Sequence, residues 1–448
     1  MSTSAGANSD LETARLLAEN GRYPEAQALL LALLGREPRN AAGIVELGRV
    51  VLASGTRDDA ETILRHAVRS APDSADAHAT LGFALAARQA FDDAKRAYER
   101  AIVLDPALAI AHHGLARVLE ATGERARADD ARERGMRARP VTFLRGTAPS
   151  AAARVVLLGT ARTGNTPLAD AVDPNAFAVA AVVAEYADAA MLPAHDVIVN
   201  VIGEADRCAD VLAHAEALVA RAGTPVINPP ARVRTTGRLT VAQRLRAIDG
   251  LIVPATARTT YEALRDRPLH EPFLVRALGH HFGELFFRIS DEASRAEALA
   301  ALAGHDLIEA AFLDARGRDG LVRKYRVLFI DGGLYPVHAA VGDAWKLHFV
   351  TGHHDSQAAS EDATFLADPA AVVGPRAYAA LHAVRDELRL DYAGVDFGLD
   401  AIGNVLLFEA NATMSAPWPA TGYRREPIAR IRTAVQEMIA HRARVNAP

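Results

Sequence analysis

Apolar positions in the first third of the chain repeat with a period of 34 residues. A proline ends each unit, at Pro38, Pro72, Pro106 and Pro140, and a small residue recurs at Ala26, Ala60, Ala94 and Ala128. Within a unit, apolar residues lie three or four positions apart, which predicts amphipathic helices. The alanine lets two helices approach closely. Each helix pair leaves an apolar face that only its neighbour can cover, so the units are expected to stack.

This period resembles the tetratricopeptide repeat family, which has Leu-Gly early in the unit and proline after the second helix. Leu47-Gly48, Leu81-Gly82 and Leu115-Ala116 occupy the Leu-Gly position. We predict repeats over residues 11–140, three clear ones and a weaker one at 11–39, after a disordered tail at 1–10. The resemblance implies a concave surface that binds an extended peptide or another protein. A spacer or a dimerisation arm, which would make the protein a homodimer, is the alternative.

After Pro140 the period ends, and residues 141–153 are predicted to be a linker. Short apolar runs at 154–158, 178–183 and 195–202 then predict buried strands, and 207–222 predicts an amphipathic helix. Alternating strands and helices indicate a small, mostly parallel sheet. Gly159 and Gly164 lack the GxGxxG spacing, so a dinucleotide site is not supported.

A predicted hairpin of residues 392–399 and 405–411 is the most informative pattern in the chain. If Leu399 pairs with Leu406, Asp396 faces Glu409. In the same register Gly394 faces Asn411, and Gly398 faces Leu407. The other face is wholly apolar, with Val395, Phe397, Leu399, Leu406, Phe408 and Ala410. One face of the hairpin is therefore expected to cover a core, and the other to carry two facing carboxylates.

Facing carboxylates repel each other, because their Cβ atoms lie only about 5 Å apart. Oxygen ligands beside glycines, which leave room above the strands, suit a hard cation such as Mg²⁺. A solvated polar face is the alternative. The glycines favour the metal, because glycine weakens an ordinary exposed strand.

The segment from about Arg154 to the end, roughly two thirds of the chain, resembles the ATP-grasp superfamily of carboxylate–amine ligases. VDF followed by FEANATM carries the resemblance, whose nearest branches are D-alanine–D-alanine ligase, glutathione synthetase and ribosomal-protein glutamate ligase. It implies that Asp396, Glu409 and Asn411 hold two Mg²⁺ ions against the phosphates of ATP. It also implies an α/β domain at 154–230, a small nucleotide-clamping subdomain at 231–320 and a large subdomain at 321–445.

The same resemblance implies three groups of nucleotide contacts. These are Arg238 and Arg276, where the family usually has lysine; Gly279, His281 and Gly283 in a phosphate-covering loop; and Glu309, Leu313 and Asp314 at the hinge between subdomains. Arginine keeps the positive charge and can bind phosphate through two N–H groups. The loop has fewer glycines than is usual, which reduces its backbone freedom. Ordinary loop roles for His280 and His281, and surface roles for Glu309 and Asp314, are the alternatives.

A second hairpin is predicted around Asp331-Gly332, a turn signal between two β-rich runs. Arg326 faces His338 if the loop has three residues, whereas a two-residue loop shifts that register. In related ligases a basic residue on this strand contacts the transferring phosphoryl group. The resemblance implies this catalytic role for Arg326, with Lys324 on the same face and His338 nearby. A solvated basic strand end is the alternative.

A histidine-rich segment follows this hairpin. His348, His353, His354 and Asp355 match no zinc-ligand spacing. Trp345, Lys346 and His348 are expected to line the acceptor side of the cleft, with core or surface roles as open alternatives.

Composition narrows the class of protein. The chain has 448 residues, half of them apolar and 23% charged, which suggests about three domains. Its net charge of −5 removes the usual electrostatic reason to expect nucleic acid or an anionic membrane. Cys208 is the single cysteine, and no signal peptide or membrane-spanning run is visible. We therefore expect a soluble cytoplasmic protein.

The resemblance to the ATP-grasp superfamily implies an ATP- and Mg²⁺-dependent ligase that forms an amide or ester through an acyl phosphate. Its substrate is expected to be a peptide or protein bound by the repeats, and its nucleophile a small amine or an intramolecular group. A nucleotide-binding scaffold with weak or no activity, and an ATP-grasp phosphotransferase, are the alternatives.

Overall fold

The chain forms two compact units, Met1–Pro140 and Val141–Pro448. The structure is a computed structural model, and it describes residues 3–144, 146, 151–279, 283–416 and 420–445. No helix in these ranges combines the length and the apolar character that crossing a bilayer requires.

The first unit is a row of eight helices. They are α1 (Thr3–Glu19), α2 (Tyr23–Arg36), α3 (Ala41–Ala53), α4 (Arg57–Ser70), α5 (Ala75–Ala87), α6 (Phe91–Leu104), α7 (Ala109–Ala121) and α8 (Arg125–Ala138). The helices form successive pairs with the predicted period. Asn40 and Ser74 begin α3 and α5 by accepting hydrogen bonds from the amides of Gly43 (2.9 Å) and Ala77 (3.2 Å). Each of these repeats therefore begins at a capping residue two positions after a proline of the period, Pro38 or Pro72.

The predicted disordered tail is wrong over residues 3–10, because the chain is helical from Thr3. Residues 11–39, predicted as the weaker repeat, lie in the helix pair α1–α2. The reason is burial: Ala7, Leu11 and Ala14 of α1 pack in one core cluster with Leu30 and Leu33 of α2. Polar composition at the chain start hid these three contacts.

The side chain of Tyr98 in α6 packs against helices of two consecutive repeats. Its ring is 2% exposed, and a Cβ on Gly82 of α5 would lie 3.0 Å from it. A Cβ on Gly114 of α7 would overlap the same ring. Glycine on both sides therefore makes the space that the ring fills.

Replacing Gly114 with alanine is expected to destabilise the repeat array by about 1–2 kcal/mol. Overpacking a buried ring costs about 1–3 kcal/mol, which exceeds the gain of about 1 kcal/mol that alanine brings to a helix. Urea denaturation followed by circular dichroism measures the change. Gly35→Ala in α2 is the matched control, because nothing lies within 4 Å of that position, and it should raise stability. Equal effects of both substitutions would contradict the role of Tyr98.

The second unit contains fourteen strands and eight helices among the described residues. The strands are β1 (Val141–Leu144), β2 (Arg154–Gly159), β3 (Ala178–Val183), β4 (Val197–Asn200), β5 (Val226–Ile227), β6 (Leu251–Ile252), β7 (Thr256–Thr259), β8 (Phe273–Ala277), β9 (Phe286–Ile289), β10 (Leu307–Ala311), β11 (Val322–Ile330), β12 (Gly333–Gly342), β13 (Tyr392–Leu399) and β14 (Val405–Asn411). The helices are α9 (Ala209–Ala222), α10 (Pro230–Val233), α11 (Arg238–Leu245), α12 (Tyr261–Asp266), α13 (Glu292–Leu302), α14 (Ser356–Ala367), α15 (Pro369–Leu388) and α16 (Arg425–Arg444).

These strands form three sheets, which confirms a mixed α/β region after the helical array. The first sheet has the order β1-β3-β2-β4-β5, with β2 to β5 parallel as predicted. The predicted linker over residues 141–153 is wrong at its start. There β1 pairs antiparallel with β3, and Val141 packs against the core.

The second sheet, β7-β10-β8-β9, is antiparallel, and its inner face packs on Leu264 of α12 and Ala298 of α13. The third sheet has the order β12-β11-β13-β14-β6. On its buried face Tyr325 stacks on Phe397 with ring centres 5.3 Å apart, in one core cluster with residues of α15. The opposite face of this sheet carries charged side chains.

Both predicted hairpins are present, with bulges that the sequence did not show. Asp396 pairs with Glu409 and Gly394 with Asn411, as predicted, but the register then shifts. As a result Gly398 pairs with Leu406 instead of Leu407, and Leu399 pairs with Val405 instead of Leu406. The bulge leaves Phe408 36% exposed, outside the core where it was predicted, and buries Leu407.

The β11–β12 hairpin combines the two predicted alternatives. Its loop has two residues, Asp331 and Gly332, both with positive φ. A bulge after Arg326 then restores the register in which Arg326 faces His338.

Candidate functional site

One row of polar side chains crosses the open face of the third sheet. His338, Arg326, Asp396 and Glu409 face one another in succession on β12, β11, β13 and β14. Lys324 lies two residues before Arg326 and therefore shares its face. The predicted catalytic and carboxylate residues thus lie together.

Asp396 is the centre of this row and is 1% exposed. Its carboxylate accepts two hydrogen bonds from Arg326, from Nε at 2.6 Å and Nη2 at 2.9 Å. Lys324 Nζ lies 2.6 Å from the second oxygen. Burial alone would raise the pKa of Asp396, but these two cations outweigh it and hold the pKa well below its usual range.

Two side chains contact Glu409. Arg238, the first residue of α11, places Nη2 2.7 Å from Oε1 of Glu409, and Asn411 Nδ2 donates to the same oxygen at 2.9 Å. The amide oxygen of Asn411 accepts from Thr413, from its backbone N–H and its hydroxyl, both at 2.9 Å. Burial opposes ionisation of Glu409, yet the positive charges of Arg238 and Arg276 lower its pKa.

Arg276 of β8 adds a fourth cation near these carboxylates. Its guanidinium lies 5.1 Å from the ring centre of Phe286. Burial, with a smaller contribution from the charge of Arg238, lowers the pKa of Arg276 to about 10. The carboxylates of Glu409, Glu204 and Asp206 act in the opposite direction on the pKa of Arg276.

The ends of the loop after β8 are held by two cationic side chains, Arg207, which the sequence did not indicate, and Lys346, which was predicted to line the acceptor side of the cleft. Arg207 Nη1 donates to the carbonyl of Gly279 at 2.8 Å. Lys346 Nζ donates to the carbonyls of Gly283 and, at 3.3 Å, Phe286. His281, predicted to contact nucleotide, lies with His280 outside the described residues. No local sequence signal links Arg207 to a loop seventy residues away.

The three predicted hinge residues are not brought to this cluster. Glu309 pairs in register with Val275, so it lies on the helix-covered face of the second sheet, opposite Arg276, where Arg267 is 2.6 Å away. Leu313 packs in an apolar cluster with Leu347. Asp314 is exposed and pairs with Arg316 at 3.2 Å. The predicted nucleotide contacts of these three residues stay predictions.

His338 is a packing group rather than an exposed acid or base. It is 6% exposed, and its ring lies 5.1 Å from that of Phe349. Burial and the nearby charge of Arg326 lower the pKa of His338 well below its ordinary value, so the ring is neutral at pH 7. The predicted catalytic role of His338 stays a prediction.

The histidine-rich segment forms no metal cluster. His353 pairs with Asp343 at 2.7 Å, and His354 packs edge-on against Phe349. Trp345 packs against Phe286 and Phe312, with ring centres 5.4 and 6.2 Å apart. Zinc therefore gains no support from this segment.

The predicted room for an ion above the glycines is absent. A Cβ on Gly394 would lie 2.6 Å from Cβ of Met414, and one on Gly398 would lie 2.6 Å from Cβ of Ala315. Neighbouring side chains therefore fill the space beside the carboxylates.

Asp396 and Glu409 are carboxylates on adjoining strands, the kind of oxygen donor that Mg²⁺ prefers, and in this structure both are paired with cationic side chains. In the described ranges no three His, Cys, Asp or Glu residues are grouped to hold an ion by themselves. Mg²⁺ is commonly bound by one or two carboxylates together with substrate phosphates, and it keeps several waters. The donor set therefore suits an ion that arrives with a phosphorylated ligand.

Comparison with known proteins identifies the first unit. The sequence profile of the tetratricopeptide repeat family matches residues 14–82. The N-terminal helices are tetratricopeptide repeats. A search of the curated proteins finds no match to the chain.

Solved structures that resemble this chain each cover about three tenths of it. A crystal structure of MamA is 27% identical over 28% of this chain and 74% of that chain, with a TM-score of 0.26. TTC0263, a tetratricopeptide repeat protein of Thermus thermophilus, is 21% identical over 30% of this chain and 74% of its own, with a TM-score of 0.28. PilF of Pseudomonas aeruginosa is 18% identical over 31% of this chain and 64% of its own, with a TM-score of 0.30.

Proposed function

We propose that the second unit is an ATP-dependent ligase that joins a carboxylate to an amine or another nucleophile. The observation that carries this proposal is the convergence of four cationic side chains on two carboxylates of adjoining strands, Asp396 and Glu409. The cations are Lys324, Arg326, Arg238 and Arg276. Glu204 and Asp206 also act on Arg276, so the proposal rests on where the cations lie and not on an excess of positive charge. Arginine and lysine side chains bind phosphate oxygens, and carboxylates bind the metal ion that accompanies them.

In this reaction a substrate carboxylate oxygen attacks the γ-phosphorus of ATP, and the bond to the ADP oxygen breaks. Arg326 and Lys324, fixed on Asp396, stabilise the negative charge on the transferring phosphoryl oxygens. Mg²⁺ held by Asp396 and Glu409 would neutralise phosphate charge. The amine then attacks the carbonyl carbon of the acyl phosphate and loses a proton, and inorganic phosphate leaves with the electron pair.

The tetratricopeptide repeats support a peptide or protein as the bound partner in this proposal. One position of the period places Arg15, Arg49, Phe83 and Arg117 on alternate helices α1, α3, α5 and α7. Phe83 is 45% exposed, and the guanidinium of Arg117 lies 5.9 Å from its ring centre. A cavity of about 220 Å³ between Arg15 and Arg49 has Tyr23 and Val50 in its wall. These features offer charged, aromatic and apolar contacts to an extended chain.

The proposed reaction is tested by measuring ADP formation with a mixed peptide library, a panel of amines and Mg²⁺. We expect ADP release that requires peptide, with hydroxamates forming when hydroxylamine replaces the amine, because hydroxylamine traps acyl phosphates. Phosphate retained on the peptide would identify a phosphotransferase instead. ATP that binds but is never consumed would contradict the ligase.

A nucleotide-binding scaffold is the second candidate, and one observation favours it. Both carboxylates of the cluster already have cationic side chains as partners, at 2.6 to 2.9 Å. A site that remained in this state would bind phosphate without its metal. The same ADP measurement separates the two candidates.

A further inference from the structure

The two carboxylates of the site differ in how firmly their cations hold them. Asp396 is bound by Arg326 and Lys324, which extend from the neighbouring strand of the same sheet, and its side chain is 2% exposed. Glu409 has one ion pair, and its partner Arg238 comes from a separate helix. The Glu409 side chain is 26% exposed and that of Arg238 is 18% exposed. The Glu409–Arg238 pair is therefore the one that can open without disturbing the sheet.

Arg238 occupies the coordination position that an ion would need. Its Nη2 contacts Oε1 of Glu409 at 2.7 Å, and Asn411 donates to the same oxygen. A divalent cation at that oxygen would meet a guanidinium at contact distance, and the two positive charges would repel. In the state that the structure shows, Arg238 therefore opposes a metal ion at Oε1 of Glu409.

A polyphosphate gives Arg238 a better partner. Arginine binds phosphate oxygens through paired N–H groups, and such charge-assisted contacts are about twice as strong as neutral hydrogen bonds. Arg276 lies close enough to Arg238 for their charges to oppose each other. An anion between the two guanidinium groups removes this repulsion, so it draws Arg238 away from Glu409. The backbone of Arg238 stays in place, because its N–H donates to Asp206 at 3.1 Å.

We propose that Arg238 makes metal binding conditional on nucleotide. In the free protein it pairs with Glu409 and opposes metal binding there, and it leaves Glu409 when phosphate oxygens bind. This inference rests on the nucleotide binding in the proposed function and adds the order in which nucleotide and metal bind. Nucleotide binds first without metal, and the divalent ion binds second. Between turnovers the protein then holds no ion at Glu409.

The proposal is tested with Mn²⁺ alone, measured by electron paramagnetic resonance on the full chain. We expect Arg238→Gln to bind Mn²⁺ about tenfold more tightly than the unmodified protein, the change expected when one charge-assisted contact is removed. Arg238→Gln combined with Glu409→Gln should lose that gain. Arg244→Gln is the matched control, because Arg244 lies on the same helix and pairs with Glu387 at 3.2 Å, and it should change nothing.

A second measurement follows binding of a fluorescent ATP analogue in the presence of EDTA. We expect the unmodified protein to bind it without metal. Equal Mn²⁺ affinity of the unmodified protein and Arg238→Gln, or nucleotide binding only when metal is present, would overturn the proposed order. Arg238→Lys, with its single ammonium group, guards against a folding defect and should show an intermediate gain.

These readouts are independent of the ligase reaction. If ADP forms with peptide but Arg238→Gln gains no Mn²⁺ site, only the order is wrong. If Arg238→Gln gains the site and no substrate mixture yields ADP, the order stands and the ligase proposal fails.

Discussion

Replacing Asp396 with alanine is expected to lower the free energy of unfolding of the second unit by about 3–5 kcal/mol, the cost of breaking a buried ion pair by removing one partner. The substitution leaves Arg326 and Lys324, whose side chains are 21% and 14% exposed, without their shared carboxylate. Both cations then lie beside Arg276 and Arg238 with less negative charge among them. This is the largest stability effect that we expect from a single substitution in the site.

Chemical denaturation of the full chain, followed by fluorescence of Trp345 near the site, measures this effect. Asp386→Ala is the matched control, because Asp386 also pairs with an arginine but is 67% exposed, so its loss should cost less than about 1 kcal/mol. The contribution of Asp396 should be fully present above about pH 4 and decline as the pH falls further, since its folded pKa is the lower one. A cost no greater than that of the control would contradict the central position given to Asp396.

Replacing Glu409 with glutamine is expected to reduce ADP formation about 10²- to 10³-fold, the range found when one preorganised electrostatic contact to the reacting group is lost. Glutamine keeps the shape of the side chain and its contact with Asn411 but removes the negative charge that an ion needs. Arg238 is flexible enough to find solvent, so we expect the free energy of unfolding to change by less than about 1 kcal/mol.

Steady-state ADP release under saturating peptide and Mg²⁺ is the measurement for Glu409. Glu387→Gln provides a close comparison, because Glu387 pairs with Arg244 of the same helix α11 and lies outside the charged row. It should leave the rate unchanged. If both substitutions slow ADP release equally, the effect belongs to the anchoring of α11 and not to a metal ligand.

The sequence predicted the features that depend on periodicity. The helix pairs follow from a fixed spacing of proline and alanine, and the pairing of Asp396 with Glu409 follows from alternation along two strands. Both are local patterns, so neighbouring residues contain all the information that they need. Sequence alone could therefore predict the four helix pairs, the parallel first sheet and the row of polar residues.

What the sequence missed depends on long-range geometry. The bulge at Phe408 adds one residue to a strand whose apolar and polar residues still alternate in the predicted register. The sequence pattern alone therefore does not reveal the bulge. Glu309 was assigned to the nucleotide by resemblance, but its face is set by pairing with Val275 on a distant strand. The cations around Asp396 and Glu409 come from several elements, and nothing in a single sequence shows which of them meet.

The ring of Tyr98 between Gly82 and Gly114 has a consequence for how the array folds. In a linear array each repeat gains stability only from itself and its neighbours, so the strongest junction defines a cooperative block. The third and fourth repeats share this one aromatic side chain, so we expect them to open and close together. Amide hydrogens in α5 to α7 are then expected to exchange more slowly than those in α1 and α2, which hydrogen–deuterium exchange measures.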